Sequence, residues 1–221
     1  MEAQLARRRE LLSSSARHLG WKAGFGSKAA MERLGTSAPL FGFLLDRNLV
    51  DGRSTVSIAG WTRPVFEAEI AVHLGSDVRA GAAARETRAA IAGLGPAVEL
   101  ADSDPAVTGV EEILAGDIFH RHVVLGPVRL GGSIDGFEAI VFRDGQEIAR
   151  TSDPTQLTGD MIAVLQALAE TLETNGETLK AGDVIITGSV VPPIEVAPGQ
   201  HLRAEMSPLG SIEVRFQEVS G

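Results

Sequence analysis

The sequence predicts a single α+β domain, residues 1–221, that is rich in β-strands. Three observations lead to this fold class. Short apolar segments typical of strands recur along the chain, 25 glycines provide many turns, and residues 154–173 have the apolar spacing of a helix. The chain is long enough to bury a core without covalent cross-links. It has no cysteine, which excludes disulfides, thiolate metal sites and cysteine nucleophiles.

Composition also limits the classes of partner. The 29 Asp and Glu residues outnumber the 20 Lys and Arg residues, which argues against binding to nucleic-acid phosphates or to an anionic membrane. No apolar run approaches the roughly 18 residues of a membrane span. Three arginines near the N-terminus are not followed by an apolar segment, so we predict no secretory signal. We therefore expect a soluble cytoplasmic protein.

The first third of the chain predicts two helices. Residues 1–19 read as a helix, and the glycine-rich stretch 20–26 reads as a strand or a functional loop. Ser27 is a suitable N-cap for a short helix that ends at Gly35. Residues 36–64 predict only short irregular pieces.

The middle of the chain predicts mainly strands. A strand at 65–74 is followed by an alanine-rich helix at 82–94 and a second strand at 97–101. After a loop at 102–109, further strands are predicted at 122–125, 139–143 and 147–149. The last two strands are joined by Asp144-Gly145, which is typical of a tight hairpin turn.

The longest predicted helix covers residues 154–173. Asp153 is the expected N-cap, Pro154 occupies the first helical position, and Gln156 completes a capping box. Asn175-Gly176 is expected to end this helix. Its buried stripe consists of Leu157, Met161, Val164, Leu165, Leu168 and Leu172. Strands at 184–187, 194–196, 201–206 and 211–216 complete the chain.

Two glutamates on one strand are the most informative polar pair. Glu67 and Glu69 lie two residues apart, so they share one face of the strand at 65–74, while apolar residues fill the other face. A solvated outer face is the simplest interpretation of such a pair. Val65 and Ala71 flank it on the same face, however, which indicates a strand buried on both sides. Buried like charges are costly without a cation, and carboxylates suit Mg²⁺, Mn²⁺ or Ca²⁺.

A third carboxylate is available on the next strand. Glu99 lies among apolar residues of the strand at 97–101, and Asp102 and Asp104 follow it as further ligands or as supporting groups. Three carboxylates from two strands would leave positions open for substrate and water. His120 and His122 share one strand face, but without a nearby third ligand we favour structural or peripheral roles for them.

Lys22 and Asp46 are candidate catalytic residues. Lys22 lies between Trp21 and the glycines, where its amine could contact a bound anion or transfer a proton. Asp46 could orient this lysine or carry a proton. A surface lysine and a loop aspartate are the alternatives.

Residues 187–189 end a strand before a proline turn. Thr187, Gly188 and Ser189 offer hydroxyl and backbone N–H groups that can bind a carboxylate, although an ordinary glycine turn is the alternative. No segment resembles a P-loop, a dinucleotide-binding turn or a serine nucleophile elbow.

Four sequence blocks together resemble the fumarylacetoacetate hydrolase superfamily, and most closely its 2-keto-4-pentenoate hydratase / 4-oxalocrotonate decarboxylase branch. The blocks match in order and spacing over nearly the whole chain. They are GWKAGFGSKAAMERLG with APLFGFLLD (20–46), FEAEIAV (66–72), PAVELADSD (96–104) and LKAGDVIITGSVVPPIEVAPGQHLRAEMSPLGSIEVRF (179–216).

The resemblance implies a mixed β-roll of the fumarylacetoacetate hydrolase C-terminal-domain type with flanking helices. It implies Mg²⁺ or Mn²⁺ held by Glu67, Glu69 and Glu99, with Lys22 acting beside the metal. It also implies substrate contacts at the 187–189 turn, with Ser189 near the substrate carboxylate, and we include Ser27 among the substrate-binding residues. The implied substrates are 2-oxo or 2-hydroxydienoic acids from the catabolism of aromatic or related compounds. We expect a homo-oligomer, with a decarboxylase subunit as a further partner.

The implied reaction is hydration of a 2-hydroxydienoate. C–C hydrolysis of an acylpyruvate, decarboxylation of a 2-oxo acid, and a non-catalytic oxoacid-binding or partner subunit are the alternatives. The sequence departs from the hydratases at Leu40, where they carry an acidic residue, and at Ile118, where they carry asparagine. The N-terminal helical portion is also expected to be shorter than in the family. His18 is the nearest candidate for the base that a hydrolase needs.

Overall fold

The computed structural model describes residues 1–52, 54–131 and 133–218, which form two β-sheets flanked by helices. The helices within these ranges are short except for the first and the last. They are α1 (Glu2–Ser13), α2 (Lys28–Leu34), α3 (Ala84–Ala89), α4 (Val110–Ala115) and α5 (Met161–Thr174), with one 3₁₀ turn at Asp46–Asn48. None of the helices in the described ranges is both long enough and apolar enough to cross a membrane.

The first sheet is mixed and has the strand order β2-β1-β10-β4-β5-β6, with β11 beside β4 and β7 beside β5. Among the strands of the described residues in this sheet, β1 and β10 pair in parallel and the other neighbours pair antiparallel. Its strands are β1 (His18–Gly24), β2 (Leu40–Leu45), β4 (Pro64–Leu74), β5 (Ile91–Asp102), β6 (His120–Leu125), β7 (Arg129–Leu130), β10 (Val184–Ser189) and β11 (Ile194–Glu195).

The second sheet has the order β3-β13-β12-β8-β9. Its strands are β3 (Thr55–Ser57), β8 (Glu138–Arg143), β9 (Gln146–Thr151), β12 (His201–Ser207) and β13 (Gly210–Gln217). Asp144 and Gly145 both have positive φ, of 51° and 84°, and join β8 to β9 as the sequence predicts. Alternate residues of β12 face the core, so Leu202, Ala204 and Met206 are buried.

Strand β4 is buried on both faces, as its sequence indicates. Phe66, Ala68 and Ile70 lie in the main core, which also contains residues of α5 and of the second sheet. On the opposite face, Ala71 is fully buried in a smaller cluster with Leu44 and neighbouring strand residues. The two glutamates of this strand therefore project from a face with little access to water.

Several predicted boundaries are wrong. The first helix ends at Ser13 rather than at residue 19, because His18 already belongs to β1 and pairs with Leu45 of β2. The segment predicted as irregular, 36–64, contains β2, whose six residues are all buried. A fully buried strand lacks the alternation of apolar and polar residues that marks a half-buried one, which explains why this strand was missed.

The alanine-rich helix is much shorter than predicted. It spans Ala84–Ala89, and β5 begins at Ile91 and continues to Asp102. Gly93 and Leu94 pair with β4 on one side and with β7 on the other. Pairing on both edges satisfies the backbone groups of this segment, and the sheet overrides its local helix propensity.

The long helix begins later than predicted. Asp153 caps a turn by accepting a hydrogen bond from the backbone N–H of Thr155, and Gly159 interrupts the chain with a φ of +78°. The helix starts at Met161, and the Asp160 carboxylate accepts a hydrogen bond from the Ala163 N–H. Its C-terminus lies at Asn175-Gly176, as predicted.

Candidate active site

Three carboxylates and one lysine project from the same face of the first sheet. Glu67 of β4 and Glu99 of β5 are directly paired across the two strands, and Glu69 is paired with Ser189 of β10. Lys22 of β1 is paired with Ile186 of β10. The sheet therefore collects side chains from four adjacent strands.

Lys22 contacts Glu99 across three strand spacings. In the order β1-β10-β4-β5, neighbouring strands are about 4.8 Å apart, so a flat sheet would separate the two backbones by at least about 14 Å. The Lys22 Nζ nevertheless donates a hydrogen bond to Glu99 Oε1, and both residues are almost completely buried. The sheet must curl strongly between β1 and β5, and its concave face forms the site.

A glycine makes room for the lysine. Gly42 of β2 is paired with Lys22, and a Cβ atom at this position would lie 2.8 Å from Lys22 Cγ and 2.7 Å from an Asp117 oxygen. The Lys22 amine also donates to the Ile118 backbone oxygen over 3.1 Å. Strand β2 and the turn after α4 thus fix the direction of the lysine side chain.

The carboxylates differ in their electrostatic surroundings. Burial and the charge of Glu99 raise the pKa of Glu67 to about 7, although Lys22 opposes this shift. Burial, Glu99 and Glu67 likewise raise the pKa of Glu69. Burial also acts to raise the pKa of Glu99, but the nearby charge of Lys22 and the hydrogen bond from His120 outweigh it and lower this pKa.

Lys22 is held as an ammonium group. Burial acts to lower the pKa of Lys22, but the charges of Glu99, Asp117 and Glu67 outweigh it and raise this pKa above its usual value. Asp117 itself is buried, which raises the pKa of its carboxyl group. Its Oδ1 accepts hydrogen bonds from the Phe43 N–H and from Gln4 Nε2, so α1 and β2 hold it in place.

The chemistry of these donors fits a divalent cation. Glu69 Oε1 is buried and has no hydrogen-bond partner in the described part of the chain. Within the described residues, the charge of Lys22 lowers the pKa of both Glu67 and Glu69 and so partly offsets their acidic charge. Within residues 1–52, 54–131 and 133–218, no group of three or more potential ligands is already gathered into a coordinating cluster. Glu99 is engaged by Lys22 and His120.

The cavity over these side chains has a volume of about 680 Å³. Its floor includes Lys22, Glu67 and Glu99, and its walls are mainly apolar. Two arginines, Arg33 and Arg63, also line it. The apolar wall residues include Val65, Ala101, Phe25, Phe119, Pro192 and Pro193.

The predicted substrate-binding residues all line this cavity, but their polar groups are already engaged. The Gly188 N–H donates to Glu69 Oε2 over 2.6 Å, so this turn binds a carboxylate of the protein itself. Ser189 Oγ donates to the Val191 backbone oxygen, and Thr187 Oγ1 donates to the Ile70 backbone oxygen. Ser27 caps α2 by accepting a hydrogen bond from the Ala30 N–H.

Asp46 does not orient Lys22, which corrects that part of the prediction. It lies four residues beyond Gly42 on the antiparallel neighbour of β1, about 13 Å along the strand. Its carboxylate accepts hydrogen bonds from the Arg17 backbone N–H and guanidinium at the protein surface. These bonds lower the pKa of Asp46. Asp117 occupies the place near Lys22 that we assigned to Asp46.

The two acidic residues after Glu99, Asp102 and Asp104, are predicted to be further ligands or supporting groups. Asp102 instead accepts hydrogen bonds from the Thr62 and Arg63 N–H groups and from the Arg121 guanidinium. It thereby holds the segment that brings Arg63 to the cavity. Asp104 caps a turn by accepting from the Ala106 N–H.

The sequence interpretation missed Asp117 and favoured a structural or peripheral role for His120. His120 Nδ1 lies 2.8 Å from Glu99 Oε1, so this histidine belongs to the site rather than to its periphery. The sequence signal was the FHRH segment, but the spacing alone did not show which histidine meets Glu99. His122 stacks against Trp61 instead.

The two departures from the hydratases lie together in the structure. Leu40 and Ile118 belong to one buried apolar cluster, which they share with Ile113 and Leu114 of α4. Leu40 is 7% exposed and Ile118 is 4% exposed. Burial of an ionised carboxylate at position 40 among these side chains would cost free energy. The apolar residues at positions 40 and 118 are therefore consistent with each other.

Comparison with known proteins places this geometry in a family. Residues 15–217 match the family model described as "Fumarylacetoacetate (FAA) hydrolase C-terminal". The chain is 26% identical over 204 residues to a 4-oxalocrotonate decarboxylase of Pseudomonas sp, covering 91% of this chain and 79% of the relative. It is 27% identical over 217 residues to 2-keto-4-pentenoate hydratase 1 of Dechloromonas aromatica (strain RCB), covering 94% and 81%.

A solved structure confirms the predicted fold. The 4-oxalocrotonate decarboxylase from Pseudomonas putida G7, complexed with magnesium and adipate, superposes with a TM-score of 0.90 at 25% sequence identity. The match covers 96% of this chain and 83% of that protein. The mixed β-roll with flanking helices and the predicted relationship to hydratases and decarboxylases are both confirmed. The chain belongs to the fumarylacetoacetate hydrolase family.

Proposed function

We propose that this protein is a divalent-metal-dependent lyase that adds water to a 2-hydroxydienoate. The observation that carries the proposal is the buried Lys22–Glu99 contact at the floor of a cavity that also contains Glu67. An ammonium group so placed can stabilise negative charge on a small acidic substrate. The similarity to a hydratase and to decarboxylases supports this class of reaction.

Glu67, Glu69 and Glu99 would hold the cation. When bound, a divalent cation supplies Lewis-acid polarisation of the substrate's carboxylate and 2-oxygen. The decarboxylase relative was solved in complex with magnesium, which supports binding of a divalent ion by this chain as well. Mg²⁺ and Mn²⁺ are both suited to three carboxylate ligands.

Lys22 would act on the 2-oxygen of the substrate. Because its neighbours raise its pKa, Lys22 is protonated at neutral pH. It can donate a hydrogen bond that stabilises negative charge developing on the 2-oxygen of the substrate. The Ile118 carbonyl and Glu99 accept two of its hydrogen bonds, which leaves one ammonium hydrogen to contact the substrate.

The cavity walls suit a short acidic hydrocarbon chain. Apolar side chains would exclude water from the dienoate, and Arg33 and Arg63 add positive charge to the lining. Ser27 and the 187–189 turn line the cavity, so they would shape the space in which the substrate lies.

Decarboxylation of a 2-oxo acid is the second candidate. The structural match with a TM-score of 0.90 is to a decarboxylase, which favours this alternative. C–C hydrolysis has less support, because His18 is engaged elsewhere. Its Nε2 lies 3.2 Å from Asp183 Oδ1, its ring packs edge-on against Trp21, and it does not line the cavity.

The proposal is tested by turnover with and without metal. The purified chain, stripped with a chelator, should lose the ability to bleach the ultraviolet absorbance of 2-hydroxypenta-2,4-dienoate, and Mg²⁺ or Mn²⁺ should restore it. Glu67→Gln should abolish the restoration, whereas Glu205→Gln, on the exposed side of the second sheet, should not. Full activity of Glu67→Gln in the presence of chelator would refute the metal-dependent mechanism.

Assays with other substrates separate the alternative functions. Release of CO₂ from a 2-oxo dicarboxylic acid would favour a decarboxylase, and cleavage of an acylpyruvate would favour a hydrolase. Metal binding without turnover, followed by turnover when a homologous subunit is added, would support a partner subunit. Measuring the mass of the protein in solution tests the predicted homo-oligomer.

A further inference from the structure

The site contains a buried histidine for which the proposed reaction has no use. The His120 side chain is 2% exposed, and its Nδ1 lies 2.8 Å from Glu99 Oε1. Lys22 Nζ bonds the same oxygen. Within the described residues, no hydrogen bond is made to the other oxygen, Glu99 Oε2, although Glu99 lines the cavity.

An unusual turn delivers this histidine to Glu99. Asp117, Ile118 and Phe119 have φ values of 55°, 53° and 64°, so three consecutive non-glycine residues are left-handed. This conformation costs roughly 1–2 kcal/mol per residue, and it is especially unfavourable for β-branched Ile118. Strain of this kind is kept where the surrounding structure depends on it.

A β-bulge follows the turn directly. Leu100 of β5 pairs with His122, but Ala101 pairs with His120, so Arg121 is an extra residue on β6. Bulges redirect the side chains beside them. With regular pairing, His120 would lie opposite Asp102. The bulge instead pairs His120 with Ala101, whose side of β5 is also that of Glu99, and so places His120 next to Glu99.

Burial of this imidazole is not explained by packing alone. His120 Nε2 is buried and, among the described residues, has no hydrogen-bond partner. A buried polar atom without a partner costs free energy, so an apolar residue would suit a purely structural position better. The hydrogen bond to Glu99 is the contact that the imidazole gains in return.

We propose that His120 is a positioning residue that holds Glu99 Oε1 and thereby presents Glu99 Oε2 to the cation. This inference rests on the proposed function, because it assumes that the carboxylates bind a metal. Groups that hydrogen-bond to a metal ligand without touching the metal fix its orientation, and their loss typically weakens metal binding 10- to 100-fold. His120 would play this part for Glu99, while Gly188 N–H does so for Glu69.

The test is the affinity for Mg²⁺ and Mn²⁺, measured by calorimetry on the whole metal-free chain. His120→Leu removes the donor, whereas His120→Asn keeps an N–H donor close to the position of Nδ1. We expect His120→Leu to bind both ions about 10- to 100-fold more weakly and His120→Asn to restore most of the loss. His122→Leu, which alters a histidine that stacks on Trp61, is the matched control and should bind as the unmodified chain does.

The outcomes separate this inference from the proposed function. If the unmodified chain binds metal and His120→Leu binds it equally well, the role of His120 is refuted and the proposed function stands. If the unmodified chain binds neither ion, both are refuted. If His120→Leu does not fold, His120→Gln replaces it, because its longer amide does not overlay on Nδ1. His120→Gln should then bind more weakly than His120→Asn, and equal affinities would refute the inference.

Discussion

Glu99 on β5 and Glu147 on β9 are both strand glutamates paired with basic side chains, but their surroundings differ. Glu99 is 2% exposed and bonds Lys22 and His120 from other strands. The Glu147 side chain is 43% exposed and pairs with Arg150 three residues later in the sequence. Water can replace the partner of Glu147, whereas Glu99 is almost completely buried and depends on its protein partners. Removal of a partner should therefore have large effects in the first sheet and small effects in the second.

The largest effect is expected for Lys22→Met. Loss of the ammonium group removes both the charge that stabilises the substrate and the partner of Glu99, so kcat should fall by about 10²- to 10⁴-fold. Lys28→Met, at a side chain that is 89% exposed on α2, is the matched control and should retain activity. Circular dichroism verifies that both variants fold. Equal activities would show that the buried pair does not contribute to turnover.

The next largest effect is expected in the pH dependence of stability, to which Glu67 of the first sheet contributes. The pKa of Glu67 is about 7 in the folded chain and near 4.5 when unfolded. Between pH 4.5 and pH 7, the Glu67 carboxyl group is therefore protonated in the folded chain and ionised in the unfolded chain. Without metal, the free energy of unfolding should therefore fall as pH rises from 5 to 8, by at most about 3 kcal/mol for this group. Partial exposure of Glu67 to the cavity reduces this figure.

Glu67→Gln should remove that part of the pH dependence. Urea unfolding in the presence of chelator at pH 5 and pH 8 measures it for both proteins. Glu205→Gln, on the second sheet, should retain the full dependence. If Glu67→Gln lost as much stability between pH 5 and pH 8 as the unmodified chain, ionisation of Glu67 would not be the cause of the pH dependence.

A smaller but still clear effect is expected for Gly42→Ala. The added methyl would lie within 3.0 Å of the Lys22 side chain and of Asp117 Oδ1, so overpacking should cost about 1–3 kcal/mol. It should also reduce activity by displacing Lys22. Gly116→Ala is the control, because its Cβ would have no neighbour closer than 3.4 Å. Equal urea midpoints for the two variants would contradict the close packing around Lys22.

The smallest effect is expected in the second sheet. Arg150 pairs with Glu138 and Glu147 at the surface. Arg150→Ala should leave activity unchanged and shift the urea midpoint little, because solvent screens these pairs. A loss of stability comparable to that of Gly42→Ala would contradict the expectation that removal of a partner has a small effect in the second sheet.

Local sequence predicted those parts of the fold that depend on local chemistry. Ser27 and Gly35 bound α2 as expected, and Asp144-Gly145 forms the hairpin. The start of α5 was misplaced because two capping signals, Asp153 and Asp160, lie seven residues apart and both are used. Only the backbone reversal at Gly159 decides which of them begins the helix.

The site was predicted unevenly for a physical reason. The pair Glu67 and Glu69 is visible within one strand, and Glu99 follows in a recognisable block. Asp46 was misassigned because the register of β2 against β1 cannot be read before β2 is known to be a strand. The contact of His120 with Glu99 was not predicted because the position of His120 depends on a bulge and on a left-handed turn, neither of which has a glycine to indicate it.

The strand order of the first sheet has a consequence for how the chain is made. Lys22 is synthesised early, but β10, which lies between its strand and the glutamates, is made only after α5. Until β10 inserts, β4 and β5 can pair and bring Glu67 opposite Glu99 with no lysine nearby. Pairing over such sequence distances is slow. A growing chain therefore contains all three glutamates before it contains β10, the strand that lies between them and the strand of Lys22.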